Sequence, residues 1–301
     1  MNEVPQTPGT PSAMDFRALL ARLPIERFRN PPPLVTVLRL SGVIGSVGMA
    51  RRGMSMAALA DPIERAFRPS GLAAVALLIN SPGGSPVQSA LIARRIRALS
   101  VEKSVSVIAF VEDAAASGGY WLACAADEIF ADSSSIVGSI GVVSGGFGFT
   151  GLIRRLGIER RLHTAGDNKA MLDPFSREDP EDVERLKAIQ ADVHDAFKQH
   201  VRERRGGRLK AADDILFNGE FWTGRRALEL GLIDGLGDLR GILRQRFGDK
   251  VRLRPVGGAR LWPRWLGGWS GEAATGAGAE RWMAAGLSAV EERLWWGRIG
   301  L

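Results

Sequence analysis

One cysteine and three histidines are all that this 301-residue chain holds of the common soft metal ligands. A lone Cys124 excludes an internal disulfide, and such sparing use fits a reducing compartment. It lies in Trp121-Leu122-Ala123-Cys124-Ala125-Ala126 and reads as a small core residue. Three scattered histidines and one cysteine do not make a zinc site, so no metal is expected. Histidine is also the usual base beside a nucleophilic serine, and here it is badly placed for that work. His194 and His200 fall in the charged helical pattern of residues 180–205, on what reads as its solvated face. His163 sits in the short strand-like run Arg160-Arg161-Leu162-His163-Thr164 and reads as a rim histidine. Long apolar runs are missing too. Met1–Asn30 is polar and proline-rich, with no stretch of about 20 apolar residues and no cleavable signal pattern. The expected location is therefore cytoplasmic, with any contact at the inner membrane peripheral.

The net charge is +7, with basic clusters at Arg154-Arg155, Arg160-Arg161, Arg202 to Arg208 and Arg225-Arg226. Aromatic residues do not interleave with these clusters and no reader motif is present, which argues against nucleic acid. Solvated helix faces account for most of the charge, and an anionic membrane surface is the other partner it suits.

Apolar content is 45%, ordinary for a packed core. Strand-like and helix-like runs alternate from Leu34 to Val142, which predicts an α/β fold with parallel strands. Two of the strand-to-helix junctions are chemically suggestive. The apolar run Val105–Val111 leads into Ala115-Ala116-Ser117-Gly118-Gly119-Tyr120, which places a small hydroxyl residue at the mouth of a sheet. The run Leu77-Leu78-Ile79-Asn80 leads into Ser81-Pro82-Gly83-Gly84-Ser85 and a helix from Pro86 to about Ser100, with Val87, Leu91, Ile96 and Leu99 as its apolar positions. Two glycine-bearing turns on neighbouring parallel strands would face one crevice, where open α/β sheets bind ligands. Gly84 and Gly118 are then candidate backbone donors to an oxyanion, and Ser117 the candidate nucleophile. The plainer reading is a pair of tight turns. For a base, Lys169 stands out in Gly166-Asp167-Asn168-Lys169-Ala170-Met171-Leu172-Asp173-Pro174-Phe175, a lone cation among turn residues and apolar neighbours. By itself this loop would pass for a solvated one.

Taken in order, Asn80-Ser81-Pro82-Gly83-Gly84, Ala115 to Tyr120, Val137-Gly138-Ser139-Ile140-Gly141-Val142, Lys169-Ala170-Met171 and Trp222-Thr223-Gly224-Arg225-Arg226-Ala227 through Gly231-Leu232-Ile233-Asp234 resemble a known family. The chain is similar to signal peptide peptidase A (SppA, protease IV) enzymes in their short single-copy form, from about Leu34 to about Phe247. The resemblance implies a ClpP/crotonase-like fold of stacked ββα units. It also implies a Ser–Lys dyad that hydrolyses peptide bonds without a cofactor, with Ser117 as nucleophile and Lys169 as base. Gly84 and Gly118 carry over as oxyanion donors. Ser139 is a candidate supporting hydroxyl that would relay or orient, its plainer reading being a turn cap. It further implies closed homo-oligomeric rings, in which the dyad can be completed across a subunit boundary. Unfolded or apolar peptides, such as released signal peptides, would enter the enclosed chamber. A free lysine titrates near ~10.4, and general-base work asks for roughly 7–8, so the base must be dry when substrate is bound.

Three features depart from the family pattern. Asp173 stands where relatives tend to have Ser, and with Asp167 it would raise the pKa of a nearby lysine. A membrane-spanning N-terminal helix is missing, and the tail is unusual. Two rival readings follow: a crotonase-like acyl-CoA enzyme, which shares the paired-glycine oxyanion hole, and an inactive membrane-surface scaffold.

The domain reading is a flexible leader at 1–33, a peptidase domain at 34–255 and a Trp/Gly-rich extension at 256–301. The leader carries a short amphipathic helix candidate, Asp15–Leu23. Six of the eight tryptophans fall between Trp262 and Trp296, where residues 279–296 follow a second amphipathic pattern. Asp179-Pro180-Glu181 opens a long helix that should stop at Gly206-Gly207, with Val183, Leu186, Ile189, Val193 and Phe197 on one stripe.

Overall fold

A computed structural model describes residues 31–47, 51–256 and 293–301. The helix candidate at 15–23 and most of the one at 279–296 lie outside these residues, while 293–297 are helical.

Three long parallel strands make the centre: β1 (Leu34–Ser41), β4 (Leu72–Ser81) and β5 (Val107–Ala116). Between β1 and β4 lie the short antiparallel pair β2 (Ser46–Val47) and β3 (Arg51–Arg52) and the helix α1 (Met56–Phe67). β4 is apolar almost throughout, as a strand covered on both faces must be. Leu77, Ile79, Val75, Val107 and Ala109 face a large core beneath α1, α2 (Pro86–Lys103) and α3 (Gly118–Ala123). Val35, Val37, Ala74, Ala76, Ile108 and Phe110 face the opposite side, where Leu243 of the helix Leu239–Phe247 closes a smaller core. The period-2 alternation of strand side chains thus produces a three-layer α/β unit.

The main sheet runs β10 (Arg252–Val256), β1, β4, β5, β6 (Glu128–Ala131), β9 (Gly235–Leu236), all parallel. β5 divides its partners. Its first half pairs with β6, and its last residues, Ala114–Ala116, pair with β7 (Ile136–Gly138). β7 in turn takes β8 (Phe221–Thr223) as an antiparallel neighbour. This branching brings the ends of β4, β5 and β7 together at one edge, where the site lies.

After β7 an arm of residues 142–179 stands mostly exposed, with only the short α4 (Thr150–Arg155) in it. Residues 160–164, expected as a strand, have no regular structure. Arg160 and Arg161 instead pair with Asp173 and Glu159. α5 spans Pro180–Arg205, and its Asp179 cap accepts from the Glu181 N–H at 2.9 Å. Only its second half enters the core, through Phe197, Val201 and Arg205, while Ile189 of the expected stripe is exposed. In α2 the buried stripe is Ser89, Ile92, Ala93, Ile96 and Leu99, and Val87 faces solvent.

The arginines ending α5 are not a solvated patch. Arg204 donates to the Cys124 and Ala126 carbonyls at 2.9 and 3.0 Å. Arg205, 2% exposed, donates to the Gly231 carbonyl and pairs with Asp234 at 2.7 Å. Asp234 also accepts from the Ile129 N–H at 2.7 Å, and the Tyr120 hydroxyl donates to the Leu232 carbonyl. Cys124 is buried beside them, and that burial pushes its thiol up to about 12. Burial acts to raise the Asp234 carboxyl, but the Arg205 hydrogen bond and charge hold it below the usual carboxylate range. A lowered carboxylate pKa contributes stability that is complete above about pH 4 and is lost as pH falls through the folded value. Asp234→Asn should therefore lower the unfolding free energy by roughly 3 kcal/mol at pH 7, because Arg205 is left buried without its counter-charge. The loss should shrink in acid, as urea midpoints at pH 7 and pH 3 will show.

Candidate active site

Ser117 joins the end of β5 to the start of α3 with φ 52° and ψ −120°. This is a left-handed conformation that a residue with a side chain holds only against a cost of about 1–3 kcal/mol. The Ser117 N–H donates to the Gly138 carbonyl at 2.8 Å and its carbonyl accepts from the Trp121 N–H at 3.0 Å. From Ala114 to Ala126 every residue is buried except Ser117. Its hydroxyl has no hydrogen-bond partner among the described residues, so the turn presents an uncommitted Oγ to the outside.

The β4–α2 turn faces it. The Ile44 N–H donates to the Gly83 carbonyl and the Ser85 N–H to the Ile44 carbonyl, both at 2.8 Å, which presses Gly84 against Ile44. Gly84 has φ +141°, and a Cβ there would stand 2.0 Å from the Ile44 oxygen. A Cβ on Gly118 would meet Ser89 Oγ at 2.5 Å and the Gly84 nitrogen at 3.4 Å. Gly84 therefore needs glycine for space, and a side chain at Gly118 would require Ser89 to shift. Among the described residues neither the Gly84 nor the Gly118 N–H donates to a protein acceptor. Two free amides beside a free hydroxyl match the arrangement that stabilises a tetrahedral oxyanion.

Ser139 is likewise held at a positive φ of 52°. Its N–H donates to the Glu220 carbonyl at 2.6 Å, and the preceding Gly138 carbonyl is the one that holds Ser117. A cavity of about 680 Å³ contains Ser117, Ser139 and Gly84 together, with Val142, Val143 and Phe221 among its walls. Trp295, Arg298 and Ile299 of the 293–301 segment form part of the wall, and Ile299 packs with Ala114 and Ala116 of β5.

Lys169 does not line this cavity. It lies exposed in the arm, in a series of turns where its N–H donates to the Gly166 carbonyl at 3.2 Å. The arm has a small packing centre of its own, with Phe149 against Phe175 at 5.7 Å and the Arg160 guanidinium 5.4 Å above the Phe175 ring. Asp173 belongs to that centre and accepts from Arg160, the Phe175 N–H and Ser176 Oγ. Burial would raise its carboxyl, yet these donors hold it low, so its charge is directed at Arg160. Asp167 is exposed.

The histidines on α5 differ from the sequence reading. Both are half-buried on its inner side. His200 stacks on Trp121 at 5.1 Å and bonds the Trp121 carbonyl, and burial lowers its pKa. His194 lines the Ser117 cavity and bonds the Ile140 carbonyl at 3.1 Å. Asn218, also on the cavity wall, carries no distinguishing sequence signal. For His194 the signal is present: Phe197 and Val201 follow at helical spacings of three and seven, so all three share the buried stripe. Among the described residues no cluster of His, Cys, Asp and Glu could hold a metal ion, and no helix is long and apolar enough to cross a membrane.

The description of peptidase family S49 matches residues 100–247. A Brucella abortus protein named Na(+)/H(+) antiporter NhaA is 50% identical over 297 residues, 96% of this chain and 40% of its own length. The chain thus spans well under half of that relative. A Synechocystis protein carrying a protease name, slr0021, is 32% identical over 198 residues, 65% of this chain and 68% of its own. Serine protease SPPA, chloroplastic, of Arabidopsis thaliana is 30% identical over 68% of this chain and 31% of its own. A solved variant of the 1510-N membrane-bound stomatin-specific protease, in complex with a substrate peptide, superposes with TM-score 0.49 at 16% identity, covering 77% of this chain and 95% of that one. By these sequence matches the chain belongs to peptidase family S49.

Proposed function

We propose that the chain is a serine endopeptidase in which Ser117 Oγ attacks the scissile carbonyl of an unfolded or apolar peptide, such as a released signal peptide. Lys169 takes the hydroxyl proton and returns it to the leaving amine, and water then hydrolyses the acyl-enzyme. The Gly84 and Gly118 amides stabilise the oxyanion, each worth on the order of 3 kcal/mol in such sites. Ser139 orients or relays the proton. This chemistry calls on no cofactor. The reading is carried by one observation: a free hydroxyl on a strained turn that shares one cavity with Gly84, with the free Gly118 amide next to it in the chain.

Lys169 reaches Ser117 from a neighbouring subunit in this account. The arm that bears it exposes Phe147 (82%), Leu152 (52%), Leu156 (63%) and Ile158 (54%), an apolar surface suited to another copy of the chain. Closed rings would dry the lysine and enclose the chamber. The unit spanning 34–255 is read as the peptidase domain, with 1–33 as leader and 256–301 as extension. Cytoplasmic placement with peripheral contact at the inner membrane rests on the charge of the chain and its amphipathic segments. A crotonase-like acyl-CoA enzyme would need neither Ser117 nor Lys169, and family membership favours the peptidase.

A fluorophosphonate probe tests the nucleophile. It should modify the wild-type chain at Ser117, identified by peptide mapping, and leave Ser117→Ala unmodified. Modification elsewhere, or none in an assembled protein, would favour the acyl-CoA or scaffold reading.

A further inference from the structure

His194 is the one ionisable side chain besides Arg298 on the wall of the Ser117 cavity, and the dyad chemistry does not use it. Its Nε2 lies 3.1 Å from the Ile140 carbonyl oxygen. A carbonyl only accepts, so Nε2 carries the proton in this contact, whatever the state of Nδ1. Ile140 follows directly on Ser139, whose N–H is held by the Glu220 carbonyl, and Gly138, just before, supplies the carbonyl that holds the Ser117 N–H. Gly141 is pressed against Gly219, where a Cβ would stand 2.9 Å from the Gly219 Cα. Three clamps therefore fix residues 138–141. Two are backbone contacts with residues 219–220, and the third is a side chain reaching over from α5.

We propose that His194 is a positioning residue. Its Nε2–H pins the Ile140 carbonyl and thereby sets the Ser139 hydroxyl and the carbonyl that orients Ser117. The proposal rests on the peptidase reading for its effect on rate, but its effect on geometry stands without it. The device is a fixed strut.

Two substitutions separate the strut from mere packing. Gln places a side-chain N–H where Nε2 stands, whereas Asn is one atom too short to reach Ile140. His194→Asn should lower kcat on an unstructured peptide by about 10- to 100-fold, the usual cost of a misplaced reacting group, with KM changed less than about twofold. His194→Gln should recover most of the rate. Hydrogen exchange of the Ser117, Ser139 and Gly141 amides supplies a readout that needs no activity: exchange should quicken in His194→Asn and return toward wild type in His194→Gln. Equal exchange in all three proteins, or equal loss in both variants, would overturn the proposal. A wild-type chain that the fluorophosphonate does not label, yet with the predicted exchange pattern, would instead count against the peptidase reading and uphold the strut.

Discussion

Ser117→Ala and Lys169→Ala should each reduce hydrolysis of an unstructured apolar peptide by about 10⁴-fold or more, the scale on which nucleophile and base losses act in serine hydrolases. The same substitutions should leave the fold nearly untouched. Ser117 already occupies φ 52°, and alanine pays the same backbone cost there as serine. Its hydroxyl makes no hydrogen bond among the described residues, so none is lost. Lys169 is exposed, and changes at exposed positions without special roles alter stability by about 0.5 kcal/mol or less. Activity loss with unchanged urea midpoints would separate chemistry from folding. Loss accompanied by unfolding would place both residues in the architecture instead.

Gly84→Ala should damage fold and rate together. The added Cβ would stand 2.0 Å from the Ile44 oxygen and 2.8 Å from its nitrogen and carbon, all backbone atoms that cannot swing aside. At φ +141° the alanine is strained even before that contact. The turn can relieve it only by moving away from Ile44, which carries the Gly84 N–H out of the cavity. Stability should fall by about 2–4 kcal/mol, and kcat by about 10²- to 10³-fold in the fraction that folds, the cost of one oxyanion donor. Gly146→Ala is the matched control, since nothing lies within 4 Å of a Cβ there. Thermal denaturation and single-turnover rates on the two variants would measure both effects, and a Gly84→Ala protein as active and stable as Gly146→Ala would contradict the oxyanion role.

The parallel sheet was legible because strands covered on both faces must be apolar along their length, and β4 is. The bounds of α5 were legible from Asp179-Pro180 at one end and glycine at the other. The Ser117 turn was readable from its small residues, although β5 runs to Ala116, beyond the apolar run that ends at Val111. Glu112 and Asp113 interrupt that run where the strand meets solvent, and they pair with Arg39 of β1 and Asn80 of β4. Charge misled at the end of α5. Arg204 and Arg205 look solvated in sequence, but their partners are the Cys124, Ala126 and Gly231 carbonyls, and no local pattern announces a carbonyl 26 or 80 residues away. His200 was misread for the same reason, since the partner that draws it inward, Trp121, is remote in the chain, whereas His194 was misread although its helical spacing to Phe197 and Val201 announces the inner side. The position of Lys169 was beyond any single-chain pattern, because the arm that bears it packs on itself and leaves Phe147, Leu152, Leu156 and Ile158 exposed.

The most direct test of the Ser117–Lys169 dyad is to mix the two inactive variants. Ser117→Ala and Lys169→Ala would be combined under conditions where exchange of subunits is verified by mass, and peptide hydrolysis followed against each alone. In a ring with one Lys169 delivered to each neighbour's Ser117, an equal mixture rebuilds about a quarter of the sites, so activity should return toward that fraction of wild type. Verified mixed rings with no activity at any ratio would contradict a dyad completed between subunits.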